Sequence, residues 1–305
     1  MDAIYGIDQR DNYTLAQRGK TPRSGGYAQF LTTKKALRGA VFGLPWQSFW
    51  VHADPEQLRV LTAVLDILRS AGATILNDTT TEITNYQTIV SPDGWNWDYG
   101  TTRGFANESE YTVVKVDFYN NIKAYLSELE NTSIRSLEDI VQYNYDNDGS
   151  EGGYPWPLGN PAFYSGQDGF LASLETRGIQ DETYFQALNF VQSTTRKGID
   201  DALGLNSNRT KLAGLLVPPD VGQSYQIAAQ AGYPVVTLPV GVHSATGMGF
   251  GLAIMQTAWA EAELVKWASA IEDVLSGSPY KRSLPRWHGY LKRNIPLLNI
   301  YEGSD

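Results

Sequence analysis

The stretch that most constrains this chain runs from Leu212 to Leu275. A continuous apolar run, Leu212 to Val217, stops at Pro218-Pro219. Proline has no ladder N–H, so this pattern reads as a buried strand with a fixed end. A short helix over 221–230 follows, closed by Gly232. Val235 to Val240, apolar and β-branched, reads as a second strand. Gly247, Gly249 and Gly251 punctuate a turn into a third, Leu252 to Gln256. Ala260 to Leu275 then carries Leu264, Trp267, Ile271 and Leu275 at helical spacings of three and four.

The rest of the chain alternates in the same way. Ala40 to Leu44 is a short apolar strand ending at Pro45. Asp54 is the N-cap of the next helix, with Pro55 at N1 and Gln57 at N3. Leu58, Leu61, Leu65 and Leu68 line one face, and Gly72 takes the C′ position. Thr74 to Leu76 follows as a strand, making a strand–helix–strand unit that is most simply parallel. Tyr111 to Leu129 reads as a helix burying Val114, Phe118, Ile122, Tyr125 and Leu129. Ser136 to Tyr143 is a shorter helix capped by Ser136 with Asp139 at N3. Asp181 to Leu203 is a helix burying Tyr184, Leu188, Val191, Thr195, Ile199 and Ala202. The expected fold is α/β, a mixed β-sheet core flanked by helices, and the whole of 1–305 is expected to be one domain.

Between these elements, Met1 to Gly6 reads as the last turn of a helix whose earlier turns are absent. Thr21 to Lys35 reads as a surface connection. Thr79 to Glu110 is polar and aromatic, and its Trp95, Trp97, Tyr99 and Phe105 are expected to pack on the adjacent sheet or helices, with the lining of a pocket as the alternative. Gly149 to Gly169, dense in Gly, Pro and aromatics, is expected to be a structured loop, and Ser278 to Asp305 an irregular tail.

The chain has 305 residues, a net charge of −9 and no cysteine. Disulfides, thiolate catalysis and cysteine metal sites are excluded, and the acidic balance opposes nucleic acid as a partner. No apolar run reaches membrane-spanning length, so no membrane role is expected. Five glycosylation sequons begin at Asn12, Asn77, Asn107, Asn131 and Asn208, leaving a secreted or a cytoplasmic location open.

Three apparent motifs fail on their chemistry. Asn144 to Gly149 begins like a calcium loop, but Pro155 stands where the bidentate glutamate belongs. Gly247-Met248-Gly249-Phe250-Gly251 precedes a strand and not a helix, so it reads as a hairpin turn and not a phosphate loop. His243 and Ser244 are adjacent, and adjacent strand residues point to opposite faces. The three histidines, His52, His243 and His288, lack metal-ligand spacing.

The order "LL-x-P", "AGYP-V-V-T-L-P-V-G", "G-x-G-L-x-I-x-Q" and a helix opening near Ala262 resembles the C-terminal part of the amidase-signature family, in its fungal type. The resemblance implies an α/β/α amidase fold, hydrolysis of carbon–nitrogen (amide) bonds and no cofactor. It also implies a serine nucleophile, a second serine in a cis peptide that relays protons, and a neutral lysine as base. A serine hydroxyl needs such a base at neutral pH, and backbone N–H groups stabilise the oxyanion. Neither Ser24-Gly25-Gly26 nor Ser276-Gly277-Ser278 matches the family's serine loop. The expectation is therefore a C-terminal portion, incomplete and inactive by itself, with no catalytic residue among 1–305 and the triad upstream of Met1. Its expected partners are a small-molecule amide substrate and the missing N-terminal half. By resemblance the loop after "LL-x-P" borders the substrate, which makes Pro219, Asp220, Gly222 and Gln223 candidate substrate-binding residues. Asp220 also has the position and chemistry of a cap for the following helix. The alternative reading is a non-catalytic binding or partner subunit.

Overall fold

The computed structural model describes residues 1–77, 105–147, 167–205, 210–220 and 224–282. Five strands form one mixed sheet: β1 (Val41–Gly43), β2 (Thr74–Leu76), β3 (Leu215–Val217), β4 (Val235–Val242) and β5 (Gly249–Met255), in the order β2-β1-β3-β5-β4. β1 pairs in parallel with β2 and β3, whereas β5 runs antiparallel to both β3 and β4. The carboxyl ends of β1, β2, β3 and β4 therefore share one edge of the sheet.

The helices are α1 (Pro55–Ser70), α2 (Glu110–Glu128), α3 (Leu137–Asp146), α4 (Asp168–Thr176), α5 (Glu182–Ala202), α6 (Ser224–Ala231) and α7 (Glu261–Leu275). Their starts are set by local chemistry. The Asp54 carboxylate accepts the backbone N–H groups of Glu56 and Gln57, and Pro55 supplies the fixed φ of the first turn. Ser136 and Asp139 form a reciprocal capping box, and Asp181 caps α5 through the Tyr184 N–H. Gly72 follows α1 with φ +101°, a value that disfavours any side chain.

All three residues of β3, and Phe250 to Met255 of β5, are buried. Unbroken burial of this kind requires cover on both faces of the sheet. α1 and α7 pack against each other and against β4 and β5. Ile199 and Leu203 at the end of α5, and Ile227 on α6, belong to the same core. Phe42 meets Trp267 edge to face at 5.6 Å. Trp50 is fully buried, and its Nε1–H donates to the Leu216 carbonyl at 2.9 Å, which ties the segment after β1 to β3.

The strand and helix expectations hold within a few residues, and the β1–α1–β2 unit is parallel. Two readings change. α2 buries Val116 and Leu126, while Val114 and Tyr125 are exposed. Apolar residues surround this helix, so spacing alone did not single out the face that meets α4 and α5. The connection 21–35 is surface in character, but it is anchored. Tyr27 is buried, the Thr32 N–H donates to Ser269 Oγ at 2.9 Å, and the Lys34 N–H donates to Asp273 Oδ2 at 2.8 Å, both on α7. Trp95, Trp97 and Tyr99 lie outside the described residues, as do nearly all of Gly149–Gly169 and all but the start of Ser278–Asp305. Phe105 is exposed.

Leu216 sits at the middle of β3 with no solvent exposure. Leu216→Ala is expected to lower the unfolding free energy by about 2–5 kcal/mol. Leu15→Ala, at a site 46% exposed, should change it by less than about 0.5 kcal/mol. Guanidinium denaturation of both variants measures the contrast.

Candidate functional site

Open α/β sheets place ligands beyond the carboxyl ends of their strands, where neighbouring connections diverge. Here the chain leaves β1 through α1 toward β2, and it leaves β3 toward β4 on the other side. A crevice of about 290 Å³ lies at that point. It is lined by His52, Asp54 and Gln57 around the start of α1, by Asp220 after β3, and by His243, Thr246, Met248, Gly249 and Phe250 of the β4–β5 hairpin.

Each segment is held there by identifiable contacts. The turn 243–248 is closed by the His243 N–H to the Met248 carbonyl at 2.8 Å and the Gly247 N–H to the His243 carbonyl at 2.8 Å. Gly247 has φ +71°, which glycine adopts without strain. The hairpin expected from the glycine spacing is present. Its polar tip lands on the first turn of α1. The Ser244 hydroxyl donates to Glu56 Oε2 at 2.8 Å, and the Ser244 N–H reaches the same carboxylate at 3.1 Å. The His243 imidazole lies between two carboxylates, with Nε2 3.4 Å from Asp54 Oδ1 and Nδ1 3.4 Å from Glu56 Oε2. Nδ1 is buried without a hydrogen bond, so the Glu56 contact is electrostatic.

Two carboxyl pKa values follow from this geometry. Burial works to raise that of Asp54, but the Gln57 and Glu56 backbone N–H groups and the nearby His243 outweigh it and hold the carboxyl below its ordinary value. The Ser244 hydroxyl and backbone N–H hold Glu56 below its ordinary value, with smaller help from His243 and Arg59.

Of the residues expected to touch substrate, Asp220 lines the crevice and Pro219 adjoins it in the chain. Gly222 and Gln223 lie outside the described residues. The described partner of Asp220 is the Gln57 side chain, whose Nε2–H donates to Oδ2 at 2.5 Å. That bond spans the mouth between α1 and β3. The role of Gln57 here was not legible in the sequence, where it read only as the N3 residue of a helix.

The hydroxyls in the rejected motifs have unreactive partners. Ser244 donates to a carboxylate and not to an imidazole. The Ser276 and Ser278 hydroxyls donate to carbonyls at the end of α7, and Ser24 is exposed. Asp146 belongs to α3 and accepts from Gln142, while the rest of the rejected calcium loop, from Asp148 onward, lies outside the described residues. Among the described residues no group of three or more His, Asp or Glu is arranged to hold a metal, and no helix is long and apolar enough to cross a membrane.

No family model matches the chain. A protein of Schizosaccharomyces pombe named as an amidase is 49% identical over 302 residues, covering 97% of this chain and 49% of that protein. The solved peptide amidase of Stenotrophomonas maltophilia superposes with a TM-score of 0.63 at 24% identity, covering 91% of this chain and 50% of its own. An amidase family protein from Bacillus anthracis does so with a TM-score of 0.63 at 18% identity, covering 92% and 47%. The mixed sheet with flanking helices is the fold of these solved proteins. The chain spans about half the length of each.

Because Asp54 and Glu56 have depressed pKa values in the folded state, their contribution is complete above the unfolded carboxyl range, about 4. It is lost as pH falls through the lower folded values. The melting-temperature gap between the native sequence and Glu56→Gln is therefore expected to be widest near neutrality and to close below about pH 4, as thermal unfolding across pH 3–7 would read out.

Proposed function

We infer that this chain is the C-terminal portion of an amidase-signature protein that hydrolyses carbon–nitrogen (amide) bonds. The supporting observation is 49% identity along 97% of the chain to a protein named as an amidase. The likeness of the fold to a solved peptide amidase, with a TM-score of 0.63, adds to it.

In this reading the reaction follows the family resemblance. A serine oxygen attacks the amide carbonyl while a relay serine and a neutral lysine take its proton. The amine departs carrying a proton, leaving an acyl-serine ester, and water releases the acid and restores the serine. Those three residues lie outside residues 1–305. The sequence holds no glycine-flanked serine pair of the required type, and the two nearest serine segments have the unreactive hydroxyls described above. What this chain contributes is the sheet core and the crevice at the carboxyl ends of β1, β3 and β4. There Asp220 lines the crevice and Pro219 precedes it; the family resemblance also assigns Gly222 and Gln223, which lie outside the described residues, to substrate binding.

The 305-residue chain is accordingly expected to show no serine-dependent hydrolysis of simple amides and no covalent labelling by a fluorophosphonate probe. Both should appear in a longer protein that joins it to the upstream half of an amidase-signature domain. Mass spectrometry of the labelled protein locates the modified serine. A stoichiometric adduct on any serine between 1 and 305 would sink the reading.

A further inference from the structure

Charge is unevenly distributed along this chain. Its net charge is −9, yet residues 12–53 contain no Asp or Glu, while they hold Arg18, Lys20, Arg23, Lys34, Lys35 and Arg38. All six cations are exposed, and none forms an ion pair among the described residues. Lys20 has an aromatic neighbour instead, the Trp259 ring at 5.8 Å. The segment that carries them is a strap along α7, pinned from beneath. Tyr27 and Leu37 are buried, and Ser269 and Asp273 of α7 hold the backbone N–H groups of Thr32 and Lys34. The carboxylates beside the strap have other partners. Asp2 accepts the Tyr27 and Ala28 N–H groups, Asp273 accepts that of Lys34, and Glu263 and Glu272 pair with Lys266 and Arg282. Glu261 lies near Tyr27. Cations outnumber these acidic groups. Apolar side chains stand among the cations. Leu31 of the strap is 61% exposed. Tyr5 meets Tyr27 edge to face at 5.4 Å, which sets the first turn of the chain beside the strap, with Ile4 85% exposed.

We propose that this strap is a docking surface for an anionic lipid layer. Unpaired cations gathered on one segment of an acidic protein select a negatively charged partner. Ile4 and Leu31 stand out singly, and a fluid headgroup layer accepts such side chains without the matching pocket that a protein partner would have to supply. The apolar runs that the sequence lacks are those of a spanning helix, and a surface contact needs none. Each basic residue close to an anionic leaflet raises partitioning about fivefold. The acidic remainder of the chain opposes binding, but carboxylates more than about 10 Å from the leaflet are largely screened at 0.1 M salt, whereas the strap cations meet it directly. The strap lies on α7 and shares no residue with the crevice lining. The proposal is therefore independent of the hydrolytic reading.

Co-sedimentation of the full chain with vesicles tests it, using phosphatidylcholine alone and phosphatidylcholine with about one-third phosphatidylserine. The chain is expected to sediment with the anionic vesicles at about 0.1 M salt and to lose about tenfold or more in affinity at 0.5 M, while the neutral vesicles leave it in solution. The double change Arg23→Glu and Lys35→Glu, at two exposed positions, should lower the affinity about twentyfold or more. Lys123→Glu, exposed on α2, should change it less than about threefold, and circular dichroism checks that each variant stays folded. Leu31→Ser should weaken vesicle binding severalfold and leave its salt dependence intact. Failure to sediment with the anionic vesicles overturns the proposal, as does equal binding to both kinds. An undiminished affinity in the folded double variant does so too. Tight binding of poly-L-glutamate, with Leu31→Ser without effect on the vesicles, would replace the lipid layer by an acidic polypeptide.

Discussion

Strand β5 is the constraint on which the rest of this structure depends. It is the one link between β3 and β4 among the described residues, and it pairs antiparallel with both. A strand bonded on both sides and buried from Phe250 to Met255 tolerates neither polar side chains nor loose register. Glycine enters at position 251 because a Cβ there would stand 2.6 Å from the Leu238 carbonyl oxygen. Opposite it, β4 shifts register between Pro239 and Gly241, and the Phe250 ring covers Gly241 so closely that a Cβ would lie 2.5 Å from it. Proline is tolerated because β4 has one strand neighbour in the described sheet, and prolines in sheets are confined to edges and bulges. This register carries the hairpin tip over the first turn of α1.

From that placement the charge pattern of the crevice follows. A cap carboxylate at a helix start is ordinarily a local device, satisfying N–H groups that have no intrahelical acceptor. Asp54 does this work and also faces His243, while Glu56, the next charged residue of the same turn, takes both the hydroxyl and the N–H of Ser244. The helix N-terminus favours negative charge in its own right. Acidic residues are therefore inexpensive to keep at this edge of the sheet, and the two hairpin residues fasten them in position. Asp220 arrives from β3 and is bound by Gln57 of the same helix turn. One turn of α1 thus organises both lips of the crevice.

The sequence made local features legible because local chemistry determines them. Asp54-Pro55, Ser136 with Asp139, Gly72 and Gly232 mark their helix ends as a short-range reading predicts. The strands of the Leu212–Leu275 stretch were visible as apolar runs bounded by proline and glycine. The buried face of α2 was not, because two apolar stripes are available and only the neighbours α4 and α5 select Val116 and Leu126. The crevice was hidden for a stronger reason. Its walls come from segments near 52–57, 220 and 243–250, and only the order β2-β1-β3-β5-β4 brings them together. Asp220 was reachable through the family pattern. Gln57 read only as a helix-start residue and His243 only as part of a rejected pair, because their significance lies in partners far away in sequence.

That order also bears on how a sheet with short strands keeps a specific shape. β1, β2 and β3 are each three residues long, so their ladders contribute few hydrogen bonds. The side-chain interlock compensates. Trp50 donates from the connection after β1 to the β3 backbone, Thr257 Oγ1 donates to Asp200 Oδ1, and the Tyr233 hydroxyl donates to the other oxygen of the same carboxylate. Asp200 thereby joins the end of α5 to the start of β4 and the exit of β5. Contacts of this kind join segments distant in the chain and fix the sheet order without long ladders.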